Sequence, residues 1–198
     1  MRPARTSRRI LLALLAATAV AGPTAALAQR YPPPPEPALG QELLDARWPA
    51  DIVTVGERYV ASYPAGPYAA TARAELERAR NTRRLLERSD IRLYRGDFVA
   101  RGASPTLYDD VRKAALADKE AAARIAHLYR DGEGGIAAHL DRYVGWLQYA
   151  AALGHAEASY ELALHYRKAS LPALAAPYEA RAEELGFKAP PTLDNIRK

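Results

Sequence analysis

ALADKEAAARIAHLY, residues 115–129, and ALGHAEASYELALHY, residues 152–166, fall over one another when the chain is slid by 37 residues. The pairs Ala115/Ala152, Leu116/Leu153, Glu120/Glu157, Ala121/Ala158, Ala126/Ala163 and Tyr129/Tyr166 are identical, and Ile125 stands opposite Leu162. A two-helix period in the thirties is the signature of an α-solenoid, because one helix pair leaves an apolar face that only the next pair can bury. Small residues such as Ala126, Ala151 and Gly154 are expected to let helix backbones approach, while Tyr129 and Trp146 fill the gaps between pairs.

The pattern extends upstream as helix, turn, helix. Ala and Leu dominate the apolar positions from Ala38 on, and the one run of β-branched residues, DIVTV at 51–55, continues through GERYV in helical register behind Asp51 as N-cap. The expected fold is all-α: a short α-α superhelix, or solenoid, of antiparallel helix pairs with about eight helices. Their expected spans are 38–47, 51–62, 66–95 with a break near Ser89 and Asp90, 105–117, 119–131, 139–153, 156–169 and 172–185. IRLYRGD at 91–97 echoes IAHLYRDG at 125–132, which predicts an eroded repeat running from the eighties to Ala117. The organisation is then an N-terminal helical region 38–117, two repeats over 118–187 and a tail 188–198. Arg73 with Glu77 and Arg83 with Glu87, each at i, i+4, mark a solvated helix face.

The N-terminus reads as an export signal. Arg2, Arg5, Arg8 and Arg9 precede twelve uncharged residues, 10–21, and the small-residue tripeptide Ala26-Leu27-Ala28 follows the breakers Gly22 and Pro23. Twelve residues reach only about 18 Å as a helix against a hydrocarbon core of about 30 Å, so a cleaved signal over 1–28 is expected rather than a membrane anchor. The paired arginines of SRRILL, 7–12, are shared with twin-arginine signals, but Leu11 and Ala13 depart from the fuller pattern, and the general secretory route is the expectation. QRYPPPPEP, 29–37, predicts a stiff polyproline II spacer. The chain has 28 basic and 23 acidic residues, and loss of the four leader arginines brings this to 24 against 23, without the basic footprint of a nucleic-acid binder. With no cysteine anywhere, disulfides, thiol catalysis and lipid attachment at an N-terminal Cys are excluded. The expected product is periplasmic or secreted, with no membrane span after cleavage.

The repeat resembles the Sel-one-like repeat family, a relative of the tetratricopeptide repeat. That family's order of small, aromatic and glycine positions is met by Ala121, Ile125 and Ala126, Tyr129, Gly132 and Gly134, Trp146, Ala150 and Ala151, and Gly154, with Ala158, Ala163 and Tyr166 repeating it. Gly135 is one residue more than the family's turn, Tyr143 stands where a small Ala is usual, and KASLP at 168–172 replaces the second Gly-x-Gly turn. The resemblance implies a binding scaffold: exported members are often periplasmic adaptors or regulators in envelope processes, exopolysaccharide production and secretion among them.

YRDGEGG, 129–135, has the look of a ligand loop, but it lacks the Gly-Lys-Ser/Thr run of a phosphate loop and the Asp and Gly spacing of a calcium loop. It reads as a bend whose glycines take positive φ. The histidines His127, His139, His155 and His165 contain no i, i+3 or i, i+4 pair to begin a zinc site, and His155 reads as a helix cap. Asp109-Asp110 and Glu183-Glu184 are adjacent on helices and so diverge. No cofactor and no enzymatic activity are expected. The leading expectation is an adaptor for another envelope protein; binding of a cell-wall or secreted glycan by stacked tyrosines is the alternative, and an envelope enzyme the last.

Removing the packing set Ala121, Ile125, Ala126 and Tyr129 from the first helix of the repeat leaves Glu120, Arg124 and His127 on one stripe, and the 37-residue shift sets Glu157, Glu161 and Leu164 beside them. These six form the expected partner-binding surface, with Ala at Arg124 and Glu161 expected to leave melting nearly unchanged.

Export makes the first prediction: exported protein begins at Gln29, and intact-mass analysis that finds Met1 or Arg2 retained overturns the signal assignment.

Overall fold

Prolines and short capping side chains set the helix starts. The computed structural model describes residues 33–98 and 104–188; the expected signal, residues 29–32 of the proline-rich spacer and nearly all of the tail lie outside them. Eight α-helices occur among the described residues, and no strand: α1 Glu36–Asp45, α2 Pro49–Ser62, α3 Ala69–Leu86, α4 Pro105–Ala115, α5 Lys119–Asp131, α6 Leu140–Ala152, α7 Ala156–Lys168 and α8 Pro172–Glu184, with a 3-10 turn at Arg95–Phe98. All lie in one compact unit that begins at Pro35. Pro49, Pro105 and Pro172 occupy first-turn positions, where a missing N–H is harmless. Asp118 accepts from Ala121 N at 2.9 Å and His155 Nδ1 from Ala158 N at 3.0 Å, so His155 is the cap expected of it. Consecutive helices pack on one another, as in a helical superhelix, except α3 and α4, which the 3-10 turn separates.

The 37-residue register is physical. α5 and α7 start and end 37 residues apart, Ala117 and Gly154 both take left-handed φ (67° and 89°), and Asp118 and His155 both cap the helix that follows. At both junctions the same pair of bonds closes the preceding helix: Asp118 N to Lys113 O and Ala117 N to Ala114 O, then His155 N to Ala150 O and Gly154 N to Ala151 O. One residue thereby ends one helix and caps the next. The turns inside the repeats differ, eight residues at 132–139 against three at 169–171. Gly132, Gly134 and Gly135 all have positive φ, so YRDGEGG ends α5 and re-aims the chain as a bend does.

Several expectations are corrected. α2 begins at Pro49 behind Trp48, two residues before Asp51. The helix expected over 66–95 is α3 alone; beyond it Ile91 and Leu93 are buried while Arg92 and Tyr94 are exposed, the two-residue alternation of extended chain. IRLYRGD is therefore not a counterpart of the helix end at 125–131. Arg73 does not reach Glu77 but donates to Pro64 O at 2.7 Å, whereas Arg83 and Glu87 do pair at 3.8 Å. The last correction is Gly154: a Cβ there would meet nothing nearer than 3.9 Å, so its role is its φ and not close approach.

The close approach is at Gly145, where a Cβ would lie 2.6 Å from Arg92 O. The extended segment crosses α6 there, and Arg92 N donates to Gln148 Oε1 at 2.9 Å. Next to the crossing Trp146, fully buried, meets Phe98 at 4.9 Å and Tyr149 at 6.0 Å, and Phe98 meets Trp48 at 5.1 Å. The Tyr149 hydroxyl donates to Ala114 O at 2.6 Å and lies 3.2 Å from Thr82 Oγ1, which ties α6 to α4 and α3. Ala121, Ala126, Tyr129, Ala150, Ala151, Ala158 and Ala163 are all buried, as their repeat positions demand, and Tyr166 is half-buried against Tyr178.

Trp146→Ala should cost about 3–5 kcal/mol through the cavity it leaves. Gly145→Ala should cost about 1–3 kcal/mol although alanine favours helix, because its neighbour is backbone and cannot swing away. Ala117→Gly should stabilise by about 1 kcal/mol, since glycine relieves the left-handed strain. Urea melts check the three signs.

Candidate functional site

The six residues expected to bind a partner are placed on and around α5 and α7, but most are engaged within the molecule. His127 Nε2 lies 2.9 Å from Glu161 Oε1, and His155 Nε2 lies 3.0 Å from Glu120 Oε2. Each bond joins α5 to the α7 end of the next repeat, with histidine and glutamate exchanged between the two. Lys119 Nζ adds a bond to Gly154 O at 3.2 Å. Arg124 turns instead to α4, where it forks onto the buried Asp110 at 2.7 and 3.0 Å; Asp109, next to it, is exposed. Glu157 is exposed and Leu164 half-buried. The expectation that Arg124 and Glu161 are idle in packing is thereby corrected: Asp110 and Glu161 are carboxylates largely shielded from water, at 6% and 18% side-chain exposure, and each needs its partner.

Glu161 is the most connected of the set. It accepts from Tyr143 OH at 3.1 Å on the oxygen that Arg130 also approaches at 3.8 Å, so Tyr143 supplies a donor there. Burial would raise the Glu161 carboxyl, but His127, Tyr143 and Arg130 outweigh it and hold it below its ordinary value. The Glu161 hydrogen bond raises His127, against burial and the Arg130 charge. Burial, then Glu161, pushes the Tyr143 phenol up to about 12.

A second feature lies where the chain leaves α3. Two open depressions of about 420 Å³ each share Arg88. One is walled by Ala151 and Ala152 of α6 and by Leu174, Pro177, Tyr178 and Arg181 of α8. The other is walled by Trp48, Leu86 and the extended run through Arg92, Tyr94 and Arg95. Arg88 forks onto Asp90 at 2.7 and 2.9 Å, which raises the guanidinium and lowers the carboxyl. Gln148, buried at the base, is fixed at both ends by Arg92 N and by its own donation to Tyr166 OH at 3.0 Å. The Tyr178 ring stacks on Tyr166 at 5.8 Å, and burial pushes its hydroxyl up to about 12.

Compared with protein families, with curated proteins and with solved structures, this chain matches none. Its site is therefore read from its own geometry. Among the described residues no group of three His, Asp or Glu side chains is placed to hold a metal, and no helix is long and apolar enough to cross a membrane. The depressions were not expected from the sequence, because Arg88 to Arg95 and Arg181 lie about ninety residues apart in the chain. A signal was present all the same: arginines at 88, 92 and 95 stand with Ile91, Leu93 and Tyr94 within eight positions.

The seam generates a pH prediction. A raised His127 stabilises fully below its unfolded value and loses this as pH rises through the folded one; a lowered Glu161 stabilises above its unfolded value and loses this as pH falls through the folded one. The pair is strongest between roughly pH 4.3 and 6.5. His127→Gln should lower Tm more at about pH 6 than at about pH 8.5, measured by thermal melts at both; equal losses would remove the ion pair.

Proposed function

We propose that this chain is an exported, non-enzymatic adaptor of the Sel-one-like kind, which binds another protein of the cell envelope through its solenoid surface. The observation that carries the reading is the pair of open depressions around Arg88, where apolar walls and guanidinium groups meet over a base whose amide and aromatic rings are already fixed by internal bonds. Such a mixture of an apolar wall and a few convergent polar groups is what a recognition surface uses. The repeat register supports the resemblance, since the residues that fit the family's small and aromatic positions are those that close and pack the two repeats. The leader-like first 28 residues support export. The exposed Glu157 and half-buried Leu164 on α7 offer a second face for contact.

Site-specific photo-crosslinking in the producing cell tests this. A photoreactive residue placed at Tyr94, Leu174, Glu157 or Leu164 in turn should yield a discrete protein adduct from at least one position. Adducts that carry saccharide instead turn the reading to the glycan, and turnover of a wall substrate by the purified chain turns it to an enzyme.

A further inference from the structure

The two depressions adjoin at Arg88, which lines both, and are taken together as one open surface. Four guanidinium groups line it, those of Arg88, Arg92, Arg95 and Arg181, against one lining carboxylate, Asp90. Arg95 gives a nitrogen to Asp51 at 2.7 Å and Arg181 one to Glu184 at 3.3 Å, while Arg88 uses Nε and Nη2 on Asp90. A guanidinium carries five N–H donors, so each of the three keeps donors to spare. No described carboxylate pairs with Arg92, whose backbone is nevertheless locked to Gln148. This positions a bidentate donor beside the crossing with nothing inside the described molecule to neutralise it.

The far side is apolar and unusually uncovered: Leu174 is 49% exposed and the neighbouring Leu171 46%, while across Arg88 Tyr94 is 71% exposed. Pro177 sits inside α8 and lines the same depression. Having no N–H, it gives nothing to the carbonyl of Ala173 one turn earlier, which leaves that oxygen on the same helix face without its usual intrahelical donor. Burial first, then Tyr166 and Asp90, raise the Tyr178 phenol beside it, and its hydroxyl gives the wall a donor as well. Acceptor, donor, apolar wall and arginine row suit an extended backbone, whose successive side chains point to opposite sides.

Resting on the adaptor reading above, we propose that the surface on either side of Arg88 docks an extended polypeptide segment that alternates acidic with apolar side chains. The carboxylates engage Arg92 and Arg88, and an apolar side chain enters between Leu174, Pro177 and Tyr178. The charge of the surface selects the sign, and the exposed leucine selects against a purely charged strand.

The test uses the full mature chain and a short fluorescein-labelled peptide alternating glutamate with leucine, read by anisotropy, with lysine–leucine and glutamate–serine peptides as controls and polygalacturonate as competitor. The glutamate–leucine peptide should bind saturably, more weakly as salt is added, and in preference to both controls. Arg92→Ala and Arg181→Ala should each weaken it about tenfold or more, while Arg78→Ala, an exposed change elsewhere on α3, leaves it unchanged. Equal binding of the lysine peptide, indifference to both variants, or no binding of any peptide overturns the proposal. Polygalacturonate bound with the same dependence on Arg92, and no peptide bound, assigns the surface to an acidic glycan and also overturns it. If the peptide fails while protein adducts still form at Glu157 or Leu164, the adaptor reading stands and only this surface is lost.

Discussion

The contact between the Arg92 carbonyl and Gly145 is the constraint on which the rest of the molecule depends. A helix that met an extended chain this closely with any side chain in the way would be held off, and Trp146, Phe98 and Gln148 would lose their partners together. With glycine there, the segment after α3 lies directly across α6, and the aromatic set Trp48, Phe98, Trp146 and Tyr149 closes around the crossing. The first three helices are thereby joined to the repeats by non-local packing, so the protein is not a pure nearest-neighbour stack, whose stability would be a sum over adjacent repeats. α3 touches α6 directly, and the hydroxyl of Tyr149 reaches α3 and α4 from there.

The repeats use a different economy of residues. At 117–118 and again at 154–155 a left-handed residue ends one helix and the next residue caps another, so the chain turns with no loop to order. The two junctions solve the same problem with different chemistry. Glycine at 154 accepts positive φ freely, whereas alanine at 117 bears strain; aspartate caps α5, whereas the imidazole at 155 caps α7 through Nδ1 and keeps Nε2 for Glu120. Histidine is the one capping choice here that also reaches the neighbouring repeat. Together with His127 and Glu161 it lays a seam of two histidine–glutamate bonds along α5 and α7, which sets the two repeats against each other.

The same crossing accounts for the surface proposed to bind. Because the extended segment passes over α6, Arg88, just beyond α3, lines both depressions, with Arg92 and Arg95 on one and the α8 residues on the other. Arginines and apolar side chains gather here because the regular stack is broken, and the break leaves side chains that no neighbouring helix covers.

The sequence by itself determined the helical class, the 37-residue register and the residues that close it, because periodicity, capping and glycine placement act over a few residues and leave their mark in order along the chain. The buried positions Ala121, Ala126, Tyr129, Trp146 and Ala150 were legible for that reason, as was the bend at Gly132 and Gly134. Even the extended run was written locally, in the alternation Ile91, Arg92, Leu93, Tyr94, though the likeness to 125–132 masked it. Only the tertiary structure decided that Gly145 and not Gly154 is the point of close approach, since one sequence symbol serves both a left-handed turn and a missing Cβ. It alone decided that Glu161 and Arg124 are tied to His127 and Asp110, and that arginines from two distant segments share one surface, because those distances are fixed by packing between residues far apart in the chain, where no local pattern reaches.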